Sequence, residues 1–244
     1  MHVSFSQHTI QIDRCLMSYS AGGVRTTTAP IVFLHGWGIS AEPYQEILSL
    51  LARDQFVIAP DLPSFARSSY PDLIPDYQTY AKFLLEFLKT LNFPKVHLIG
   101  HSLGGGIASV MAASAPEQVQ SLTLVDSTGI PIGSVPEVLL RRAIEMPLQL
   151  SLPKLKLQLV DIPQAFLPNL LFNTQNVIQA LLLSLEGDLR SWLPLIQAPC
   201  LLLWSQKDLT TPMNTAEEFA RLIPQAKLVA VEEGYHEWNL LYPE

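Results

Sequence analysis

The sequence predicts an α/β protein: a mostly parallel central sheet flanked by helices on both faces, with a small helical insertion between two late strands. Three observations predict it. Six short runs rich in Val, Ile and Leu recur along the chain, each closing on a polar residue or glycine. Stretches of helical length and helical apolar spacing separate most of them, the pattern of strands buried on both faces alternating with covering helices. A Leu-rich segment then breaks this rhythm between the fourth and fifth runs.

In chain order, residues up to about Gly23 alternate as an N-terminal hairpin would. The runs are IVFLHG (31–36), FVIAPD (56–61), VHLIGH (96–101), LTLVDS (122–127), CLLLWS (200–205) and KLVAVE (227–232). Helices are expected over YQEILSLLAR (44–53) and YQTYAKFLLEFLKTL (77–91), and another from near Leu103. Residues 130–194 contain several prolines, many leucines and no clear strand. An excursion of that length is longer than a simple connection and reads as a helical lid. The expected division is a core of 1–129 and 195–244 with a lid insertion of 130–194.

Composition narrows the function. The 244 residues are enough for one large α/β domain. With 48% hydrophobic and 15% charged residues the chain is no disordered polymer. A net charge of −7 argues against nucleic acid or an anionic membrane as the main partner. No window approaches the roughly 18 apolar residues of a spanning helix, and the N-terminus lacks the basic and apolar regions of a secretory leader. A cytoplasmic protein without an integral membrane segment is expected. Cys15 and Cys200 are too few for a metal set or a disulfide framework and read as buried free thiols. No metal or cofactor is expected.

In a parallel sheet all strands deliver their C-terminal ends to one edge, where ligands bind. The residues following the runs are His35-Gly36-Trp37-Gly38, Asp61, Ser102, Asp126, Asp208 and His236. A serine, candidate acids and a histidine thus emerge on one edge in the order Ser…Asp…His. Gly100-His101-Ser102-Leu103-Gly104 fits G-x-S-x-G, in which the serine stands on a strained strand-to-helix turn and flanking side chains would collide with neighbouring elements. A phosphate loop would need a lysine and a different glycine spacing, and neither is present.

LHGWG (34–38), APDLPSFARS (59–68), GHSLGG (100–105), WSQKDLTTP (204–212) and GYHEW (234–238) occur in an order that resembles the α/β-hydrolase superfamily, over nearly the whole chain. The resemblance implies that fold, with Ser102 as nucleophile, Asp208 as acid and His236 as base. The residues agree on His236, which follows the last strand in a Gly-flanked loop and can take and return the serine proton. His35 and His101 read as structural groups beside the turn, and His2, His8 and His97 lie away from the edge. Either Asp208 or Asp126 can orient the histidine; the K-D-x-x-x-P context of Asp208 matches the commoner arrangement in the superfamily. For the oxyanion hole, one donor is the N–H of Leu103, directly after the nucleophile. The resemblance assigns the other to Trp37, whose indole would also wall the acyl pocket.

Two departures from the family pattern stand out. Where the superfamily usually reads D-x-P-G-x-G-x-S, this chain has Ser64 and Ala66 in place of the glycines, which predicts an altered loop; Phe65 lines the acyl pocket or simply packs. The sequence also stops at Glu244, where relatives usually continue into a closing helix. An exposed apolar strip is expected, covered in a longer chain by that helix, or here by a second copy or the N-terminal region.

The Leu-rich insertion points to a hydrophobic acyl or alcohol group. HGWG and GHSLGG resemble carboxylesterases, including those that cleave the methyl ester of pimeloyl carrier protein. Arg141, Arg142, Lys154 and Lys156 either meet an acidic carrier protein or form a solvated lid surface. The expectation is a serine esterase or lipase-like enzyme acting on a small hydrophobic ester, with a homodimer or an acidic carrier protein as candidate partners. C–C bond hydrolysis, acyl transfer and a receptor that binds a small molecule in the same pocket are the alternatives.

Overall fold

The computed structural model describes residues 3–25, 28–131, 133–150, 161–232 and 234–241. The strands are β1 (Phe5–Ile12), β2 (Cys15–Gly23), β3 (Ile31–Leu34), β4 (Phe56–Pro60), β5 (Val96–His101), β6 (Val119–Val125), β7 (Cys200–Ser205) and β8 (Ala226–Val231). They form one sheet in the order β1-β2-β4-β3-β5-β6-β7-β8. β1 and β2 pair antiparallel as the expected hairpin, β2 meets β4 antiparallel, and all other pairings are parallel. The helices are α1 (Gln45–Leu51), α2 (Tyr77–Thr90), α3 (Leu103–Ser114), α4 (Val135–Leu150), α5 (Asp161–Phe172), α6 (Thr174–Glu186), α7 (Met213–Leu222) and the short α8 (Trp238–Leu241).

Strand alternation divides the core. In β3, Val32 and Leu34 point with Ile58, Leu98 and Trp204 toward α2, α3, α6 and α7, whereas Ile31 and Phe33 face Tyr44, Leu48 and Leu240 from the α1–α8 side. Small residues let α3 (LGGGIASVMAAS) lie close against the sheet, and ten of its twelve residues are buried. Its counterpart α2 is amphipathic and begins where Asp76 accepts the Thr79 N–H at 2.7 Å. On the α1–α8 side the far strands are thinly covered: Ile99, Leu201 and Leu203 are half-buried and Val229 is 38% exposed.

The insertion is helical among its described residues, with α4, α5 and α6 between β6 and β7. Pro147 and Pro168 sit inside α4 and α5 rather than ending them, although an interior proline costs a helix about 3 kcal/mol. Buried side chains dock both helices, Val138 and Glu145 on α4 and Asn169 on α5, and on α6 Val177, Ala180 and Leu183 join the main core. Among the described residues no helix is long and apolar enough to cross a membrane, no group of His, Cys, Asp or Glu is arranged to hold a metal, and Cys15 and Cys200 are buried free thiols.

Candidate active site

The turn from β5 into α3 carries Ser102 with φ 52° and ψ −118°, a conformation disfavoured for any residue with a Cβ. The glycines on either side answer to contact. A Cβ on Gly100 would lie 2.4 Å from the Gly104 carbonyl oxygen, and one on Gly104 would lie 2.3 Å from that of Leu34. The start of α3 is thereby pressed against the end of β3, which brings Leu103 beside the loop carrying His35, Gly36 and Trp37. The backbone N–H groups at this helix start favour negative charge.

Ser102 is 6% exposed, and its Oγ lies 2.9 Å from His236 Nε2. His236 Nδ1 lies 2.7 Å from Asp208 Oδ2. An ionised carboxylate only accepts, so Nδ1 carries the proton and Nε2 is left to accept from the serine hydroxyl. Asp208 Oδ1 accepts the N–H groups of Thr210 and Thr211, both at 2.7 Å, and Oδ2 accepts the Thr211 hydroxyl at 2.6 Å. Burial pushes the Asp208 carboxyl up, but the neighbouring His236 and the hydrogen bonds from His236 and Thr211 outweigh it and hold it below the usual carboxylate range.

Asp126 takes a different place. It accepts the Ser205 N–H at 2.8 Å and the Trp238 indole N–H, tying β7 to the segment after His236. Burial and the nearby Asp208 carboxylate push its carboxyl well above the usual range. Asp126 thus sits behind Asp208, and the acid in contact with His236 is Asp208.

The other histidines are structural. His35 Nε2 accepts the Leu62 N–H and its Nδ1 donates to the Gly36 carbonyl, each at 2.8 Å. His101 Nε2 donates to the His236 carbonyl at 2.9 Å, so its Nδ1 accepts from the Tyr44 hydroxyl at 2.6 Å, which in turn accepts the Gly36 N–H at 3.1 Å. Burial, reinforced by the neighbouring His236, lowers the His101 pKa to about 3 from its ordinary 6.5. A base depressed in this way stays neutral when folded and binds a proton when unfolded. Stability from His101 is present above pH 6.5 and falls as the pH drops from 6.5 toward about 3, by about 1.4 kcal/mol per pH unit. His101→Gln is expected to flatten the urea-unfolding free energy over that window, measured against wild type. Of the remaining histidines, His8 stacks on Tyr19 in the outer hairpin and His97 bonds Ser121 at the opposite end of β5, while His2 lies outside the described residues.

The loop after β4 corrects one expectation. Ser64 and Ala66 have φ of 68° and 49°, so the loop holds left-handed backbone at both positions where the resembled pattern has glycine. The substitution leaves strain rather than a new path. Phe65 is fully buried in the core, edge-on to His35 with ring centroids 5.9 Å apart.

Several contacts tie α4–α6 to these loops, and sequence reading missed them. The Trp37 indole N–H donates to the Val177 carbonyl at 2.7 Å, and its ring meets Phe166. Asn169, fully buried on α5, donates to the Gly38 carbonyl at 3.0 Å and accepts the Ala66 N–H. Glu145, fully buried on α4, accepts the N–H groups of Leu209 and His236, each at 3.1 Å, and the Thr210 hydroxyl at 2.6 Å. Arg142, expected among the exposed basic residues, is instead engaged inward by Glu145 and Glu237. Lys154 and Lys156 lie outside the described residues.

A model of the alpha/beta hydrolase fold family matches residues 29–145. The abhydrolase domain-containing protein abhd-5.2 of Caenorhabditis elegans is 36% identical over 104 residues, 41% of this chain but only 23% of that protein. The (E)-2-((N-methylformamido)methylene)succinate hydrolase of Acinetobacter baylyi is 26% identical over 232 residues, 88% of this chain and 86% of its own length. Among solved structures, a membrane phospholipase A described as a bacterial virulence factor superposes with a TM-score of 0.81 at 28% identity, covering 98% of this chain and 82% of the other. With its sheet order, its strained serine turn and these matches, the chain has the α/β-hydrolase fold.

Proposed function

We propose that this protein is a serine hydrolase that cleaves the carboxylic ester of a hydrophobic acyl or alcohol group through an acyl-enzyme on Ser102. The observation that carries the reading is the continuous line from Ser102 Oγ through His236 to Asp208, with links of 2.9 and 2.7 Å. In this mechanism His236 Nε2 takes the serine proton as Oγ attacks the ester carbonyl carbon. The carbonyl oxygen becomes an oxyanion, received by the N–H groups of Leu103 and Trp37. As the bond to the leaving oxygen breaks, His236 returns the proton to that oxygen and the alcohol departs. A water then attacks the acyl-enzyme with His236 again as base, releasing the acid and restoring Ser102. Asp208 keeps the proton on Nδ1 and stabilises the imidazolium.

The core of 1–129 and 195–244 supplies this machinery, and 130–194 acts as the lid. Most of the exposed large apolar side chains among the described residues lie on α4–α6, including Leu140, Ile144, Leu171 and Phe172. Such a concentration suits a hydrophobic substrate, as does the likeness to a phospholipase. The Acinetobacter baylyi relative, a hydrolase named for a succinate derivative, favours a second reading in which the same residues cleave a small acidic substrate.

A fluorophosphonate probe and a series of p-nitrophenyl esters of rising chain length test the proposal. Covalent labelling at Ser102 and turnover that rises from acetate to longer chains are expected. Absence of labelling would overturn the serine-hydrolase reading, and best turnover on acetate the preference for hydrophobic groups.

A further inference from the structure

The backbone of His236 is held on both sides by buried ionisable side chains from elsewhere in the chain. Its carbonyl accepts from His101, on the nucleophile's own strand. Its N–H donates to Glu145, a residue of the helical insertion. The same Oε1 of Glu145 accepts the N–H of Leu209, directly after Asp208, so one carboxylate oxygen ties together the loops that carry the acid and the base. Its Oε2 accepts the Thr210 hydroxyl at 2.6 Å and Arg142 Nη1 at 3.2 Å. Arg142, one helical turn earlier, also holds Glu237, the residue after His236. Glu145 is fully buried with four donors, an arrangement that leaves neither oxygen to solvent.

We propose that Glu145 is a positioning residue carried by the lid: it seats His236 and the Asp208 loop, so that the Ser102–His236–Asp208 line is complete only while α4 is docked. This rests on the serine-hydrolase reading above. The physical basis is accuracy of placement. A hydrogen-bonded base must sit within a few tenths of an ångström of its partners, and a misplacement of 1 Å costs about 10²-fold in rate. Residues 234–237 have little regular structure to supply that accuracy. Besides Glu145 and His101, these residues are anchored by Ser205, which donates to the Gly234 carbonyl at 2.7 Å, and by the bonds of the His236 ring and Glu237. Asn169 gives the lid a similar hold on the loop after β3, through the Gly38 carbonyl. Both halves of the site are thus gripped from the lid, and a lid that lifts to admit an ester releases the base until it closes again.

Reach and charge are separated by two substitutions. Glu145→Gln keeps an oxygen at the same reach for the two N–H groups and loses the charge. Glu145→Asp keeps the charge and draws the carboxylate back by one methylene. If placement is what Glu145 supplies, Glu145→Asp lowers kcat on a short p-nitrophenyl ester and the rate of fluorophosphonate labelling by about 10²-fold, with KM changed less than about threefold, and Glu145→Gln stays within about threefold of wild type. The low-field proton resonance of the His236–Asp208 bond is expected to persist in Glu145→Gln and to broaden or vanish in Glu145→Asp. Wild-type rates and an intact resonance in Glu145→Asp would overturn the proposal, as would Glu145→Gln losing both. A wild-type protein that the probe does not label would instead overturn the hydrolase reading, while the resonance would still report whether Glu145 seats His236.

Discussion

Ser102→Ala is expected to lower kcat for any ester the wild type turns over by about 10⁶-fold, to a level set by binding and the oxyanion donors alone. Among the described residues, Ser102 Oγ is the hydroxyl that lies 2.9 Å from His236 Nε2. Thr211, whose hydroxyl is also near the imidazole, faces Nδ1 at 3.4 Å and is committed to Asp208. Fold stability is expected to change by no more than about 1 kcal/mol, because alanine bears the same positive-φ strain and one hydrogen bond is lost. Burst kinetics with a p-nitrophenyl ester, together with a thermal melt, check both statements. A variant that remains folded and retains the wild-type burst would remove Ser102 from the mechanism.

Asp208→Asn carries the second large effect, a loss of about 10⁴-fold in kcat with the fold retained. The amide presents either an oxygen or an NH2 group to Nδ1 and cannot stabilise the imidazolium that forms when His236 takes the serine proton. Asp126→Asn is expected to cost less than about tenfold. Asp126 contacts Ser205 and Trp238 rather than the imidazole, and an amide of the same shape keeps an oxygen for one of those donors. The pair of variants assayed side by side makes the comparison sharp. Orders of magnitude lost in Asp126→Asn and little lost in Asp208→Asn would reverse the two assignments.

The proposed latch alters how the insertion is understood. A lid that only covered a pocket would influence KM, whereas a lid that completes the placement of the base influences kcat. The burial of Ser102 at 6% exposure fits an enzyme whose chemistry runs with the lid docked. The apolar side chains on the outside of α4–α6 are then free to meet substrate or its surroundings without disturbing the polar contacts beneath.

Much of this was legible without coordinates because the signals are local. A run such as IVFL, with all four residues buried, announces a central strand by composition. The G-x-S-x-G glycines announce a turn so tight that a Cβ at either end would strike backbone. Ser64 and Ala66 misled for the same reason: residue type suggested a changed loop, while the surrounding structure held both positions at positive φ. The prolines of the insertion give no local signal of its helices, which run through Pro147 and Pro168.

By itself the sequence determined the sheet, the order of the motifs and the candidate residues Ser102, Asp208 and His236, since strand composition and glycine contacts act over a few residues. Sequence context favoured Asp208 over Asp126, and the tertiary structure supplied the contact itself, Asp208 meeting His236 while Asp126 accepts the Ser205 N–H. Tertiary structure alone decided the roles of Tyr44, His101, Asn169 and Glu145. Glu145 lies 91 residues from the histidine whose N–H it accepts, and no local pattern in RRAIEM records that partner. Its burial is determined by how α4 docks, a balance of long-range packing that no short stretch of chain contains.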